Sequence, residues 1–170
     1  MRTPSVGFVG LGNMGAAMAT RLLDAGFPVT VYNRSAAKTD VLAARGAAVA
    51  TSVAEACSGD VVITMLANDD AVEAVVNGEG GVLAALCTGA THVSASTISA
   101  GLSERLTAAH AAAGQQFITA TVLGRPEAVA AGKLFVLAAG PPAAVEPLMP
   151  VLDALGQRTF RVSDIAAVGN

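Results

Sequence analysis

The spacing of apolar positions changes abruptly near the N-terminus of the chain. Residues 6–9 form a short apolar run, which is typical of a β-strand, whereas the methionines and leucines at positions 14, 18, 22 and 23 recur at helical spacing. Glycines occupy positions 10, 12 and 15, at the change from one spacing to the other. The pattern therefore predicts a strand, a tight turn and a helix in succession.

The same alternation of strand-like and helix-like segments continues to the C-terminus. Later strands are predicted at residues 28–32, 47–49, 60–66, 91–94, 117–122, 133–138 and 158–162. Later helices are predicted at residues 36–45, 52–57, 71–76 and 82–86, before residues 113 and 131, and at 142–155, where Pro147 and Pro150 can interrupt the helix. The run at 60–66 is apolar nearly throughout, as expected for a strand that is buried on both faces of a parallel sheet. The sequence thus predicts an α/β fold with a doubly wound, Rossmann-type, mostly parallel sheet.

Polar side chains that can cap helices precede three of these segments. Ser52 precedes the helix that ends at residue 57, Asp69 or Asp70 precedes the next one, and Thr97 or Ser99 precedes the helix that ends at residue 113. The hydroxyl cluster at residues 94–99 follows a strand, so it either binds a substrate or only caps the helix after it.

The three glycines suit a loop that binds a dinucleotide. Gly10 permits a sharp turn, Gly12 removes a side chain that would block a pyrophosphate, and Gly15 lets the helix lie close to the strand. The free N–H groups at the start of this helix, beside Leu11, would face the negative charge of the ligand. The alternative is a glycine-rich turn without a ligand.

The end of the second strand indicates which dinucleotide would bind. An NAD-preferring fold usually has an acidic residue there, whereas this chain has Asn33, Arg34 and Ser35, with Lys38 one turn later. Arg34 can hold a 2′-phosphate with paired charged hydrogen bonds, and Ser35 can donate another. The predicted cofactor is therefore NADP, and the alternative is that Arg34 is a solvated turn residue.

Other candidate cofactor contacts follow from the position of the fourth strand. Ligands of doubly wound sheets lie outside the carboxyl ends of the strands, so Met65, Leu66 and Ala67 are expected to pass over the cofactor. The alternative is that they only pack at the strand end. His92 and His110 are read as structural or solvated, without a chemical role.

Composition and charge narrow the class of protein. The 170 residues suffice for one domain with a substantial core, and no apolar run reaches the length of a membrane span. The N-terminus lacks the cleavage pattern of a signal peptide, so we expect a cytoplasmic protein without a membrane partner. The net charge is −3 with scattered basic residues and no tryptophan, which argues against nucleic-acid binding. Cys57 and Cys87 lack metal-ligand spacing, so no metal site is expected and both are read as small buried residues.

Several stretches together resemble the β-hydroxyacid dehydrogenases, a family that includes 3-hydroxyisobutyrate dehydrogenase and glyoxylate and succinic semialdehyde reductases, with imine reductases as relatives. They are residues 7–15, 31–35, 62–66 and 96–99, and a glycine-containing loop at 122–127 followed by 131–134. The chain departs from many members at Ser94, where they have Asp, and at residues 119–122, where they read Asp-Ala-Pro-Val.

The resemblance implies roles for particular residues. It implies that NADP contacts Asn13, Met14, Asn33, Arg34, Ser35, Met65, Leu66 and Thr97, and that a small-molecule substrate approaches Ser96, Thr97 and the loop with Gly124 and Arg125. The reaction it implies is hydride transfer between NADP(H) and a small hydroxy acid, aldehyde acid or imine.

The resemblance also implies a second, helical domain that carries the catalytic lysine and builds a homo-oligomer. Residues 166–170 look like the start of its first helix, and Lys133 is not the equivalent of that lysine. We therefore predict an NADP-binding domain at residues 1–165 and the beginning of an interdomain helix at 166–170, with no catalytic residue in the chain. The alternatives are a stand-alone, non-catalytic nucleotide-binding or regulatory module, and a scaffold that binds no nucleotide.

Overall fold

Eight strands form a single sheet in the computed structural model, which describes residues 2–170. They are β1 (Val6–Val9), β2 (Val29–Tyr32), β3 (Ala48–Val49), β4 (Val61–Thr64), β5 (Thr91–Ser94), β6 (Gln116–Leu123), β7 (Phe135–Ala139) and β8 (Arg158–Ser163). Their order is β3-β2-β1-β4-β5-β6-β7-β8, and every neighbouring pair is parallel except β6 and β7. The predicted doubly wound, mostly parallel sheet is confirmed, and its strand order reverses between β1 and β4.

Helices cover both faces of this sheet. They are α1 (Asn13–Asp24), α2 (Ala37–Ala43), α3 (Val53–Ala56), α4 (Asp69–Asn77), α5 (Val82–Ala85), α6 (Ala100–Ala112), α7 (Pro126–Ala130), α8 (Pro142–Val145) and α9 (Met149–Leu155), with 3₁₀ turns at Glu146–Leu148 and Ala166–Gly169. One apolar core lies under α1, α2 and α7–α9, and the other lies under α3–α6. In β4, Ile63 packs into the first core and Val62 into the second, which explains why the strand is apolar up to Thr64. None of the helices within residues 2–170 is both long enough and apolar enough to cross a membrane.

Three expectations about individual side chains are corrected by the structure. Asn68, rather than Asp69 or Asp70, caps α4, because its side-chain oxygen accepts a hydrogen bond from the backbone N–H of Ala71 at 2.9 Å. Cys57 is buried as expected, but Cys87 is exposed. His92 and His110 are both fully buried, so the solvated alternative is wrong for each.

The Ser52 cap is confirmed, and of the two candidates before α6 it is Ser99 that accepts from Leu102.

The C-terminal 3₁₀ turn is held on the sheet by two threonine hydroxyls from β6. Thr119 donates to the carbonyl oxygen of Ala166 at 2.8 Å, and Thr121 donates to that of Gly169 at 2.6 Å. Many members of the family that the chain resembles have Asp and Pro at these two positions. The two threonines that replace them here hold the C-terminal turn on the sheet. The proposed boundary at residue 165 stays a prediction.

The central strand β1 tolerates no side chain at Gly7. A Cβ atom at this position would overlap the backbone carbonyl of Ala56 in α3, because that helix lies directly against the strand. At Gly101, on the exposed start of α6, the nearest atom that an added Cβ would meet is the guanidinium Nη1 of Arg105 at 3.8 Å.

We expect Gly7→Ala to lower the free energy of unfolding by about 3 kcal/mol, since neither backbone can move aside without disturbing the sheet. The matched control, Gly101→Ala, should raise it by up to about 1 kcal/mol, because alanine is the better helix former. Urea unfolding of both variants measures the difference. Equal stability of the two would contradict the close approach of α3 and β1.

Candidate functional site

A cleft of about 470 Å³ opens at the edge of the sheet where β1, β2 and β4 end. Its walls come from those strand ends, from α3 and α4, and from the loop before α5: Val9, Gly10, Tyr32, Asn33, Arg34, Val53, Leu66, Ala67, Ala71, Ala74, Val75, Glu79 and Gly81. This is the edge at which the strand order reverses, the usual ligand position in a doubly wound sheet.

Two glycines shape the turn between β1 and α1. Gly10 has a φ of 99°, a conformation that favours glycine, and its backbone lies against that of Met65. A Cβ atom at Gly15 would overlap the carbonyl of Gly10, so α1 can lie this close to the turn only with glycine there. The roles predicted for both glycines are consistent with this geometry.

Position 12 differs from these two, because the fold there does not require a glycine. Its φ is −66°, and a Cβ atom built there meets nothing within 4 Å. The space beside Gly12 is therefore open to a ligand.

The start of α1 is a preformed site for negative charge. Gly12 is the residue before the helix, no side chain caps the first turn, and that turn holds no acidic residue. Its backbone N–H groups are thus free to bind an anion, which the helix dipole also favours.

Asn33 ties the glycine turn to the end of β2. Its side-chain oxygen accepts from the backbone N–H of Leu11 at 3.0 Å, and its side-chain nitrogen donates to the carbonyl of Ser35 at 3.1 Å. The side chain therefore holds both loops in place. Arg34 and Ser35 are exposed beside it, and Arg34 lines the cleft.

Lys38 lies in a different place from Arg34. It lines a second groove of about 390 Å³ between α1 and α2, together with Leu11, Gly12 and Asn13 from the glycine turn. The turn separates the two spaces, so the structure does not bring Lys38 and Arg34 into one cleft.

The residues predicted after β4 divide between two environments. Leu66 and Ala67 line the cleft, whereas the side chain of Met65 packs against the core on the α1 side. Met14 packs against the same core.

Ser96 is hydrogen-bonded to Leu66, the residue that lines the cleft. It is fully buried, and its hydroxyl oxygen accepts from the backbone N–H of Leu66 at 2.8 Å. Thr97, the next residue, is exposed. Of the hydroxyl cluster predicted from the sequence, Ser96 thus supports the cleft wall and Ser99 caps α6.

Gly124 and Arg125 lie beyond the end of β6 and line neither the cleft nor the groove. Both are exposed, and Gly124 has a φ of 146°. They share the carboxyl edge of the sheet with Thr97, because β6 is the parallel neighbour of β5.

Sequence reasoning missed the outer walls of the cleft. Ala71, Ala74 and Val75 share one face of α4, and Val53 begins α3. Their helical spacing was visible, but it is equally typical of core packing. Glu79 brings a carboxylate to the cleft from a turn between α4 and α5, and no sequence motif marks it.

Asp69 is an acidic side chain near this edge that hydrogen bonds hold in place. Hydrogen bonds from the hydroxyl and then the backbone N–H of Ser99 lower the pKa of Asp69 below its usual value. Asp69 therefore joins the start of α4 to the start of α6 as a carboxylate. Within residues 2–170 no group of three or more His, Cys, Asp or Glu side chains is arranged to bind a metal ion.

Comparison with known proteins adds to this geometry. The family model described as the NAD binding domain of 6-phosphogluconate dehydrogenase matches residues 5–165. An uncharacterized oxidoreductase, YfjR of Bacillus subtilis, is 46% identical over 97% of the chain and 58% of its own length. Glyoxylate/succinic semialdehyde reductase 1 of Arabidopsis thaliana is 39% identical over 94% of the chain and 56% of its own length.

The solved structures agree with the sequence relatives. Mycobacterium tuberculosis 3-hydroxyisobutyrate dehydrogenase with L-serine superposes with a TM-score of 0.91 at 30% identity, over 99% of this chain and 57% of that one. The chain thus spans somewhat more than half the length of the proteins that it matches.

Substitutions at Gly12 and Gly15 distinguish an effect on dinucleotide binding from an effect on the stability of the fold. We expect Gly12→Ala to lower the free energy of unfolding by at most about 1 kcal/mol, because its Cβ meets no protein atom and only the N-cap preference for glycine is lost. It should weaken dinucleotide binding at least about tenfold by occupying the open space. Gly15→Ala should instead destabilise the fold by about 2 kcal/mol or more, because its Cβ overlaps Gly10.

Calorimetric titration and thermal unfolding of both variants provide the test. If Gly12→Ala bound dinucleotide as well as the unaltered chain does, the open space beside Gly12 would not be part of the binding site.

Proposed function

Because this chain belongs to the family of the NAD binding domain of 6-phosphogluconate dehydrogenase, we propose that it binds NADP for an oxidoreductase acting on a small hydroxy acid, aldehyde acid or imine. The observation that carries the proposal is that one edge of the sheet holds an open helix start beside the groove, and an apolar slot and a guanidinium group in the neighbouring cleft. Each of these suits one part of a dinucleotide.

The pyrophosphate would lie at the start of α1. The uncapped N–H groups of the first turn would bind its oxygens, and the empty space at Gly12 lets the ligand approach the backbone. Asn33 prepares this site by holding Leu11 in place before a ligand arrives.

The adenosine half would lie in the cleft between α3 and α4. Val53, Ala71 and Val75 offer an apolar slot for the flat base, with the ribose toward Asn33 and Arg34. Arg34 is the group that favours NADP, since its guanidinium can pair with the 2′-phosphate and no acidic residue stands beside it at the end of β2. Lys38, in the neighbouring groove, would add positive charge at longer range.

When bound, the nicotinamide supplies or accepts the hydride. The exposed residues Thr97, Gly124 and Arg125 would face the substrate from the ends of β5 and β6. Ser96 would act indirectly, by fixing the position of Leu66 in the wall of the cleft. The proton donor would come from the helical domain that the family resemblance implies, which would also make the protein a homo-oligomer.

A second candidate function is a non-catalytic nucleotide-binding module. The chain covers 56–58% of the two sequence relatives, so their full activity is not carried over with the match. The two functions differ in whether this chain transfers hydride at all.

Substitution of Arg34 tests the cofactor assignment. Charged hydrogen bonds contribute about 1.5–3 kcal/mol, so Arg34→Ala should raise the dissociation constant for NADPH about tenfold to a hundredfold and leave that for NADH nearly unchanged. Arg45→Ala is the matched control: it removes the same charge from an arginine that pairs with Asp24 and lines neither space. Equal losses for both dinucleotides after Arg34→Ala would exclude the proposed 2′-phosphate contact.

Turnover measurements test whether this chain transfers hydride by itself. The 170-residue chain should bind NADPH but show little NADPH oxidation with glyoxylate or succinic semialdehyde, because the proposed proton donor is not among its residues. Absorbance at the nicotinamide band measures the reaction. Failure to bind either dinucleotide would refute the proposed function, and efficient turnover would show that the chain holds its own proton donor.

A further inference from the structure

Four buried polar side chains form a continuous hydrogen-bonded chain beneath the cleft. Thr64 Oγ1 lies 2.9 Å from His92 Nε2, His92 Nδ1 lies 3.0 Å from His110 Nε2, and His110 Nδ1 lies 2.6 Å from Gln115 Oε1. The first three side chains are 0% exposed and Gln115 is 6% exposed. Thr64, His92, His110 and Gln115 are called the relay below.

The far end of the relay sets the direction of every hydrogen bond in it. The Gln115 side-chain nitrogen donates to the backbone carbonyls of Leu83 and Leu86, at 3.1 and 2.6 Å, so its oxygen must face His110. His110 therefore carries its proton on Nδ1 and accepts at Nε2 from the Nδ1–H of His92. His92 then accepts at Nε2, so the Thr64 hydroxyl must donate.

The surroundings keep both rings neutral. Burial lowers the pKa of His92 well below its usual value, with a further contribution from His110, and burial also lowers the pKa of His110. The His110 ring stacks on Phe117, and the His92 ring lies tilted against it. The other buried titratable side chain among residues 2–170 is Cys57, whose pKa burial raises to about 11, so its thiol is uncharged.

The two ends of the relay meet two different walls of the cleft. Thr64 ends β4 and is followed by Met65 and Leu66, and Leu66 lines the cleft. Gln115 donates to the carbonyls of Leu83 in α5 and of Leu86 directly after it, and the residue before this helix, Gly81, lines the cleft as well. No other hydrogen-bonded chain of buried side chains in the described part of the protein connects these walls.

We propose that the relay positions these two walls for dinucleotide binding, and that its protonation, which needs a more acidic solution than that of free histidine does, weakens binding. The inference rests on the proposed function, because it concerns the same cleft. His92, His110 and Gln115 are positioning residues in this account, since none of them lines the cleft.

One added proton is enough to disrupt the arrangement. The imidazole pair would then carry three N–H groups, and with one of them on His110 Nδ1 and one between the rings, the third must be on His92 Nε2. That N–H would donate to Thr64, and the buried Thr64 hydroxyl would lose the acceptor that it has in the neutral relay. The end of β4 would be the first segment to shift.

The test compares affinity for NADP⁺, which is stable in acid, between pH 7.5 and 4.5 by calorimetry. Because burial lowers the pKa of both histidines, we expect the unaltered chain to lose at least fivefold in affinity, with most of the loss in the acid half of this range. Gln115→Glu removes the amide that donates to the carbonyls of Leu83 and Leu86, so we expect lower affinity at every pH. It also places a carboxylate beside His110 Nδ1, which stabilises the protonated ring, so the midpoint of the loss should move up by one pH unit or more. Ser103→Ala, a buried hydroxyl on α6 outside the relay and without a hydrogen-bond partner, should leave the midpoint unchanged. The 2′-phosphate of the ligand takes up a proton in the same range, with a pKa of about 6. The readout is therefore the shift in midpoint between the proteins rather than the loss in the unaltered chain alone.

A purely structural role for Gln115 would lower affinity by the same factor at every pH, and that result would overturn the inference. Nitrogen-15 NMR of the imidazoles needs no variant, because the chain has only two histidines. Both rings should be protonated at Nδ1 at pH 7.5, and their protonation midpoint should match that of the affinity loss. Binding that does not change with pH would overturn the inference alone, whereas no binding at any pH would overturn the proposed function with it.

Discussion

The cleft depends on the contact between the backbones of Gly15 and Gly10. With no side chain between them, α1 begins directly over the end of β1 and presents its first N–H groups to the space outside the sheet. A larger residue would move the helix away from the strand, and the groups that can bind an anion would move with it. Asn33 adds a second constraint, since its two hydrogen bonds fix the turn relative to the end of β2.

Around this contact, the fold places each chemical property of the cleft on a different element. Positive charge comes from Arg34 after β2, apolar surface from α3 and α4, and a carboxylate from Glu79 before α5. These elements are distant in sequence and meet because parallel strands end at one edge of the sheet. The switch in strand order between β1 and β4 leaves room there for a ligand.

Buried polar groups do much of the ordering on the α6 side of the sheet. The Ser96 hydroxyl holds Leu66, the threonines of β6 hold the C-terminal turn, and the relay joins β4 to α5 through β5, α6 and Gln115. A buried polar group without a partner is costly, so each fully paired group of this kind favours one arrangement of its neighbours. A hydroxyl predicted to approach a substrate can therefore also hold its neighbour in place, as Ser96 does with Leu66.

The sequence by itself determined the fold class, the order of the elements and the glycine turn, because these follow from local spacing and from conformations that glycine favours. It also marked Arg34, since a charged residue at the end of the second strand stands out against the usual acidic one. Tertiary structure alone decided that Leu66 lines the cleft while Met65 faces the core, that Lys38 lies in a separate groove, and that Ala71, Ala74 and Glu79 belong to the cleft. It alone paired His92 with His110, 18 residues apart, into one buried chain. The physical reason is the same in each case: local sequence sets the conformation of a segment, whereas which side chains meet depends on how distant segments pack.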